Sequence, residues 1–270
     1  MRAVQPVAIV GHLARDRIAG GPPRVGGGAF HCARALRVIG REAVIVTKIP
    51  PRERRLLDGV VRLGVPVLFR PADSMPGFGI DYDGDARTMT VDSLGDPWTP
   101  EDARGWVAEA LRGVAWAHVA PLGRSDFPAE TLAALARGRR LSLDGQGLVR
   151  APVVGPLTVD ADYDPEILRH VSILKLSEEE AAVVVGGIDE QALRALGVPE
   201  VIVTLGPRGS IVYADGLAEH VPARPVVCDP TGAGDFYAAA YLAARAGGAA
   251  PVAAARRATA VARDLLAGRG

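Results

Sequence analysis

The stretch CDPTGAGDFYAA, at residues 228–239, carries the strongest structural signal in the chain. Gly232, Ala233 and Gly234 lead directly into an alanine-rich apolar run that is typical of a buried helix. The first N–H groups of a helix lack intrahelical partners, the helix dipole adds positive charge there, and small residues let an anion approach the backbone. The stretch therefore predicts an anion-binding turn, or else an ordinary loop in which Asp235 begins the helix.

Asp235 directly follows the glycines, where a carboxylate would repel a bound phosphate. Phosphoryl transfer to an alcohol gives this placement a purpose, because the reaction needs a group that accepts the hydroxyl proton and donors that stabilise the moving charge. One turn of chain supplies both if Asp235 faces the attacking oxygen. We interpret Asp235 as the general base, and the backbone of Gly232, Ala233 and Gly234 as the anion hole.

The composition limits the other functions that the chain could have. Its 270 residues are 49% apolar, enough for a full core in one α/β domain over residues 1–270. The formal net charge of zero argues against nucleic acid or an anionic membrane as a partner, because both require a basic face. Cys32 and Cys228 form neither a disulfide framework nor a metal-binding spacing. Without a visible signal peptide or spanning segment, we expect a cytoplasmic protein.

Short apolar runs alternate with helical patterns along the chain. This alternation predicts an α/β fold with a mostly parallel central sheet that is flanked by helices on both faces. The predicted strands are 6–10, 43–47, 115–120, 141–144, 172–176 and 201–205, and the predicted helices are 29–39, 101–112, 128–137, 178–185, 190–196, 233–246 and 250–267.

Residues 77–91, GFGIDYDGDARTMTV, break this alternation. Their polarity alternates around the turn residues Asp83, Gly84 and Asp85, which predicts a half-exposed hairpin. The hairpin is either an edge decoration of the sheet or a flap over a site. The glycine- and proline-rich stretch at 20–28 is typical of a loop.

Two common nucleotide-binding motifs are absent from the sequence. It contains no GxxxxGK[ST], and neither Lys48 nor Lys175 follows a glycine loop. Gly26 and Gly28 are followed by His31 where a GxGxxG motif requires its third glycine. The chain is therefore predicted to be neither a P-loop protein nor a dinucleotide-binding fold of the usual kind.

DPTGAGD at 229–235 matches the D-T-x-G-A-G-D signature of the ribokinase-like (PfkB) carbohydrate kinases, with Pro230 in a tolerated position. GGGAFHCARALRVIG (26–40) resembles the N-terminal glycine motif of that family, with His31 in place of its asparagine. VGHLARDRI (10–18) is similar to the segment that ends in a sugar-binding aspartate, here Asp16. KLSEEEA (175–181) resembles K-x-N-x-x-E with Ser177 replacing the asparagine, and VTLGPRGSIVY (203–213) resembles the strand-turn-strand unit that lines the nucleotide.

The resemblance implies a ribokinase-like fold with a small β lid, placed at about 12–25 and 77–92, and a phosphotransferase that uses ATP and Mg²⁺. The implied catalytic residues are those of the turn, Gly232, Ala233, Gly234 and Asp235. The acceptor-binding residues would be Asp16, Gly27, Gly28, His31, His12, Arg87, Asp144 and Gln146; for both histidines a structural role is the alternative. The donor-binding residues would be Thr204, Gly206, Gly209, Thr231 and Lys175, and the magnesium residues Glu180 and Asp229.

The combination of GHLARD, GGGAF and LDGQGLVR (143–150) is similar to the short inositol kinase-like members of the family. It favours a small polyol as the substrate, with myo-inositol first. Two alternatives remain open: a nucleoside kinase, with Phe30, Phe78 and Tyr82 as the candidate stacking rings, and a catalytically silent sugar-binding protein. A monomer and a homodimer are equally compatible with the sequence.

Overall fold

Two β-sheets organise the chain. The computed structural model describes residues 6–83, 86–226 and 229–269, with the side chains of Asp83 and Ala86 excepted, so Gly84 and Asp85 of the predicted turn and Cys228 lie outside the described residues. The strands are β1 (Val7–Gly11), β2 (Ala14–Ile18), β3 (Arg24–Gly26), β4 (Ala43–Ile49), β5 (Val67–Pro71), β6 (Gly77–Asp83), β7 (Ala86–Ser93), β8 (Trp116–Ala120), β9 (Arg140–Asp144), β10 (Gly155–Pro156), β11 (Ile173–Ser177), β12 (Glu200–Thr204), β13 (Ser210–Ala214) and β14 (Leu217–Val221).

The helices occupy the segments between these strands and the region after them. They are α1 (Gly28–Val38), α2 (Leu57–Val61), α3 (Pro100–Arg104), α4 (Trp106–Ala110), α5 (Ala129–Leu135), α6 (Gln146–Val149), α7 (Glu178–Val185), α8 (Glu190–Ala195), α9 (Ala233–Ala246) and α10 (Pro251–Leu266). Within the described ranges, no helix is long and apolar enough to cross a membrane.

Among the described residues, the larger sheet has nine strands in the order β14-β13-β12-β11-β9-β8-β1-β4-β5. Its strands β12, β11, β9, β8, β1, β4 and β5 are parallel to one another, whereas β13 pairs antiparallel with both β12 and β14. The six predicted strands coincide with β1, β4, β8, β9, β11 and β12. The predicted mostly parallel α/β fold is therefore confirmed.

Each face of the larger sheet is covered by its own apolar core. Val7 and Ile9 of β1 point to one core, which contains α1, α9 and α10, whereas Ala8 and Val10 point to the other, which contains α5 and α7. Alternate residues of a strand point to opposite faces, so a strand that is apolar at every position is buried on both sides. This explains why the central strands are continuous apolar runs.

Two sequence predictions need correction. The segment 101–112 forms two short helices because the chain breaks at Gly105, which has φ −91° and ψ −113°. The stretch 20–28 is not entirely a loop, since Arg24–Gly26 forms β3 and pairs antiparallel with β2. Its three residues are too few for a periodic pattern to be recognised.

The smaller sheet has the order β10-β7-β6-β2-β3. Its predicted β6–β7 hairpin pairs with β2 and β10 rather than with an edge of the larger sheet. Phe78, Ile80 and Val91 of this sheet form a small core with Leu122, which follows β8. The hairpin is thereby fixed beyond the carboxyl end of a central strand, where α/β sheets bind their ligands.

Candidate active site

A cavity of about 640 Å³, here called the main cavity, opens between the two sheets and the start of α9. A groove of about 730 Å³ along β5 is larger, but it contains a single acidic residue, Glu109, and none of the predicted site residues. The predicted site residues that line the main cavity are Asp16, Gly27, Gly28, His31, Arg87, Gln146, Lys175, Glu180, Thr204, Gly206, Thr231, Gly232, Ala233, Gly234 and Asp235.

The turn before α9 presents free backbone N–H groups to this cavity. Gly232 is the N-cap of α9 and has φ +82°, a left-handed conformation that favours glycine. The N–H of Ala233 donates to the Pro230 carbonyl at 3.0 Å, so it is not available for an anion. Within the described part of the chain, the N–H groups of Gly232 and Gly234 have no acceptor. The N–H groups of Gly232 and Gly234 are therefore available to a bound anion, whereas that of Ala233 is not.

His31 packs against this turn. A methyl group built on Gly232 would lie 2.5 Å from His31 Nδ1, so the imidazole lies directly against the glycine. The ring also makes edge contacts with Phe30 and Phe236, at centroid distances of 5.4 and 5.7 Å. Burial, assisted by the charges of nearby arginines, lowers the pKa of His31 to about 4. The ring is therefore neutral at physiological pH and can act as a hydrogen-bonding wall of the cavity.

Asp235 lies in the first turn of α9, half-buried in the main cavity. Its Oδ1 atom is buried and has no hydrogen-bond partner in the described structure. A methyl group on Gly28 would lie 3.0 Å from this oxygen, so Gly28, the first residue of α1, forms the floor beneath it. Burial and the charge of Asp144 raise the pKa of Asp235 to about 7, against the opposing charges of Lys175 and Arg150. A carboxylate with this pKa is suited to accept a proton near neutral pH.

Lys175 and Asp144 form a buried ion pair behind the anion hole. Lys175 Nζ lies 3.2 Å from Asp144 Oδ2 and 3.9 Å from Glu180 Oε2. Burial lowers the pKa of Lys175, but the neighbouring carboxylates outweigh it and raise the pKa, so the side chain stays charged. A methyl group on Gly234 would lie 2.9 Å from Nζ, which places the ammonium under the turn. Asp144 itself is fully buried and does not line the cavity.

Ser177 and Glu180 form a capping box at the start of α7. The Ser177 N–H donates to Glu180 Oε2 at 2.7 Å, and the Glu180 N–H donates to Ser177 Oγ at 3.1 Å. This explains why serine can stand where the family motif has asparagine. The S-x-x-E spacing is itself a capping-box signal, and it could have predicted this structural role.

The two residues predicted to hold magnesium lie in different surroundings. Glu180 lines the main cavity, whereas Asp229 accepts hydrogen bonds from the N–H and the hydroxyl of Thr231. No group of three His, Cys, Asp or Glu residues in the described ranges is arranged to hold a metal ion by itself. Mg²⁺ commonly takes one or two carboxylates and completes its shell with phosphate oxygens and water. One cavity-facing carboxylate therefore fits a magnesium ion that enters with a phosphate donor.

Another part of the main cavity is built around Asp16, on β2. A methyl group on Gly26 would lie 1.8 Å from Asp16 Oδ2, so the carboxylate lies against bare backbone. Its Oδ1 is buried without a hydrogen-bond partner in the part of the chain described. Burial raises the pKa of Asp16 to about 6, although Arg87 and Arg150 act in the opposite direction. The free oxygen suits a ligand hydroxyl.

A second cavity of about 330 Å³, here called the side cavity, adjoins the main one. The two share Thr204, Gly206, Pro207, Pro230, Ala233 and Gly234 in their walls. The predicted donor residue Gly209 lies here rather than in the main cavity. The remaining wall consists of Ala223, Arg224, Pro225, Val226, Tyr237, Thr259, Ala262, Arg263 and Leu266.

His12 does not line the main cavity. The ring is fully buried against Trp98, with a centroid distance of 5.6 Å, and burial lowers the pKa of His12. Its neighbour in sequence, Leu13, is also fully buried, which is consistent with a structural position for this segment.

Several lining residues were not singled out from the sequence. Arg150 is the last residue of the LDGQGLVR motif, but no spacing rule distinguishes it from a surface arginine. The apolar wall of Phe78, Ile80, Met89 and Leu122 belongs to the smaller sheet and its contacts, which periodicity could not place over the site. Of these, only Phe78 was a candidate, as a stacking ring.

The family model for pfkB family carbohydrate kinases matches residues 110–266, more than half of the chain. The chain belongs to the pfkB family. The match includes Asp144, Lys175 and the whole turn before α9, and it therefore covers the anion hole and the proposed base.

Curated relatives match this pfkB chain over shorter stretches. It is 32% identical to a cytidine kinase of Thermococcus kodakarensis over 47% of the chain, and 36% identical to an inositol 3-kinase of Zea mays over 42%. These stretches span 46% and 30% of the relatives' own lengths.

Solved structures resemble the chain over nearly its whole length. A pyrophosphate-dependent kinase in the ribokinase family, complexed with a pyrophosphate analog and myo-inositol, superposes with a TM-score of 0.83 at 24% identity, covering 98% of this chain and 96% of that one. A Burkholderia thailandensis nucleoside kinase in complex with inosine gives 0.76 at 21% identity, covering 98% and 92%. At these identities the similarity establishes the ribokinase-like fold and leaves the substrate open.

Proposed function

We propose that this pfkB chain is an ATP-dependent kinase that phosphorylates a hydroxyl of a cyclitol or sugar, with myo-inositol as the favoured acceptor. The observation that carries the proposal is the placement of the half-buried Asp235 carboxylate beside the free N–H groups of Gly232 and Gly234 in one cavity. A base and an anion hole on one turn serve phosphoryl transfer and have no use in a protein that only binds sugar.

In the proposed reaction, an acceptor hydroxyl oxygen attacks the terminal phosphorus of ATP in line with the leaving oxygen. The new O–P bond forms as the bond to the bridging oxygen breaks, and ADP departs with that electron pair. The hydroxyl proton passes to Asp235, while the N–H groups of Gly232 and Gly234 bind the transferred group. Mg²⁺, held through Glu180 and the water shell near Asp229, would neutralise charge on the donor phosphates when bound. The smaller sheet would act as the lid that excludes water.

The side cavity supports ATP rather than pyrophosphate as the donor. It continues directly from the anion hole and is walled mostly by small and apolar side chains of α10 and the segment after β14. Such a cavity suits a nucleoside, whereas pyrophosphate would leave it unused.

Ala262→Phe is expected to raise the KM for ATP about tenfold or more, because overfilling a packed site costs about 1–3 kcal/mol. Ala262 lines the side cavity, so the substitution fills nucleoside space without reaching the anion hole. Steady-state kinetics at saturating acceptor measure the change. Ala253→Phe, at an exposed position of the same helix, is the matched control. An unchanged KM for ATP in Ala262→Phe would contradict the assignment of the side cavity to the nucleoside. Turnover of the wild type with pyrophosphate but not with ATP would show that pyrophosphate is the donor.

Asp16→Asn is expected to raise the acceptor KM by about 10- to 100-fold and to leave the ATP KM within about twofold, because a hydrogen bond to a charged group contributes about 1.5–3 kcal/mol. The assay at pH 8 keeps the wild-type carboxylate ionised, since its pKa is about 6. The control is Asp92→Asn in the same sheet, where the carboxylate pairs with Arg17 instead of facing the cavity. An equal change in both KM values would show that Asp16 does not recognise the acceptor.

The acceptor class is tested by an ADP-release assay across cyclitols, hexoses, pentoses and nucleosides, with ATP and pyrophosphate as parallel donors. Turnover of myo-inositol above the other acceptors is the expected result. The nucleoside alternative has one specific observation in its favour, the Phe78 ring in the wall of the main cavity. Phosphorylation of inosine or cytidine without any cyclitol would establish that alternative. Polyol binding without turnover would instead establish a silent binding protein.

A further inference from the structure

Arg150 is a cation of the main cavity that has no ion-pair partner in the described structure. Four cationic side chains line this cavity. Lys175 is paired with Asp144, and Arg208 with Glu178. Arg87 and Arg150 form no ion pair within the described ranges, and of these two Arg87 is exposed on β7 whereas Arg150 is half-buried. A guanidinium withdrawn from water without a partner carries a desolvation cost that a bound anion would offset.

The backbone around Arg150 is firmly fixed. Its N–H donates to the Gln146 carbonyl at 3.1 Å, and its own carbonyl accepts from the Arg124 N–H at 2.9 Å. Arg150 also forms an isolated antiparallel bridge with Val159. With the backbone fixed, only the side-chain torsions remain to be ordered when a ligand arrives, and the planar guanidinium then offers two parallel donors.

Arg150 shares the main cavity with the carboxylates of Asp16, Asp235 and Glu180, and with the glycines of the turn before α9. Burial raises the pKa values of these three carboxylates, and Arg150 is among the cations that oppose the rise in each case. In the proposed reaction, this is the cavity through which the phosphoryl group would pass.

We propose that Arg150 is a further catalytic residue, whose guanidinium holds two oxygens of the phosphoryl group during transfer. This inference rests on the proposed kinase function. A transferring phosphoryl group spreads negative charge over three oxygens, and an arginine fork can bind two of them together. The N–H groups of Gly232 and Gly234 would bind from the α9 side, Lys175 is already paired with Asp144, and Arg150 adds a charge that has no ion-pair partner among the described residues.

The test compares Arg150→Gln, Arg150→Met and Arg150→Lys with the wild type, using ATP and the best acceptor from the panel. The neutral variants are expected to lose about 10²-fold in kcat, the loss typical of one removed charge stabiliser. Arg150→Lys is expected to lose about tenfold, because an ammonium keeps the charge without the fork. The matched control is Arg70→Gln on the distant strand β5, which should leave kcat unchanged.

The pH profile of kcat/KM separates this role from a merely structural one. Asp144, Lys175, Glu180 and Arg150 are the charged groups that face Asp235, and removing Arg150 removes a charge that favours the ionised base. The acidic limb is therefore expected to move to higher pH in the neutral variants and to stay in place in Arg150→Lys.

Specific outcomes would overturn the inference. The inference is overturned if a neutral variant folds, keeps its kcat within threefold of the wild type, and shows no shift in the acidic limb of its pH profile of kcat/KM. If neither neutral variant folds, Arg150→Lys decides the question, since a wild-type kcat in that variant rules out the two-pronged contact. If the wild type and the Arg150 variants are all active, the role of Arg150 is refuted but the kinase proposal stands. If the wild type phosphorylates none of the acceptors, the kinase proposal and this inference are refuted together.

Discussion

Asp235→Asn is expected to reduce kcat by about 10²–10⁴-fold, the range typical for loss of a general base. The amide cannot take the proton of the attacking hydroxyl, whereas the N–H groups of the turn remain in place to bind phosphate. ATP affinity, measured by calorimetry, should therefore stay close to that of the wild type. Turnover of Asp235→Asn at a near-normal rate would eliminate Asp235 as the base, and a loss of ATP binding would show that the turn itself had collapsed.

Two readouts distinguish loss of the base from loss of the fold. The base must be ionised to act, so wild-type kcat/KM should rise with pH and level off above about pH 7, the pKa of Asp235. The raised pKa of Asp235 in the folded state also stabilises the native state. This stability is fully present at pH values below 3.8, the pKa in the unfolded state, and it is lost as the pH rises through about 7. Asp235→Asn has no such loss. It is therefore expected to be less active but more resistant to unfolding at pH 8 than the wild type.

Gly232→Ala is expected to reduce kcat/KM by about 10³-fold, at the upper end of the range for one lost anion-hole donor, because the whole turn must shift. The new methyl group would lie 2.5 Å from His31 Nδ1, and the residue would keep a left-handed φ of +82° that alanine disfavours. Kinetics with ATP and the best acceptor measure the loss.

Gly248→Ala is the matched control for this experiment. Gly248 follows the same helix, has φ +88°, and no atom lies within 4 Å of an added methyl group. It isolates the backbone strain, about 1–2 kcal/mol, from the collision with His31. Equal losses of activity in both variants would mean that strain alone explains the effect and that the turn has no special role.

The fold was predictable where the chain repeats a pattern. The strands at the centre of the larger sheet are continuous apolar runs, and helices α7 and α9 have the predicted bounds. Strands β2, β3 and β10 escaped prediction because they are short or polar. Strands β2 and β10 pair with the hairpin, and β3 pairs with β2. The break at Gly105 was missed because a single glycine within a helical pattern is often tolerated.

The site was predictable where chemistry is local in sequence and less so where it depends on packing. The spacing of the glycines predicts the turn from Gly232 to Asp235, but the hydrogen bond from the Ala233 N–H to the Pro230 carbonyl is seen only in the structure. His12 was assigned to a substrate because it follows a strand, yet its side chain is buried against Trp98. Arg150 shows the converse, since nothing in the sequence signals that it lines the same cavity as Asp16 and Asp235.

The contact between α1 and α9 has a consequence for the order in which the molecule is made. Cys32 Sγ lies 3.5 Å from the backbone oxygen of Asp235, although 203 positions separate the two residues. A growing polypeptide thus releases the glycine floor and Asp16 from the ribosome long before the base that completes them. A nascent chain that is still short of α9 lacks the turn and also the two helices that cover one face of the larger sheet, so the site can form only after nearly the whole chain has been made.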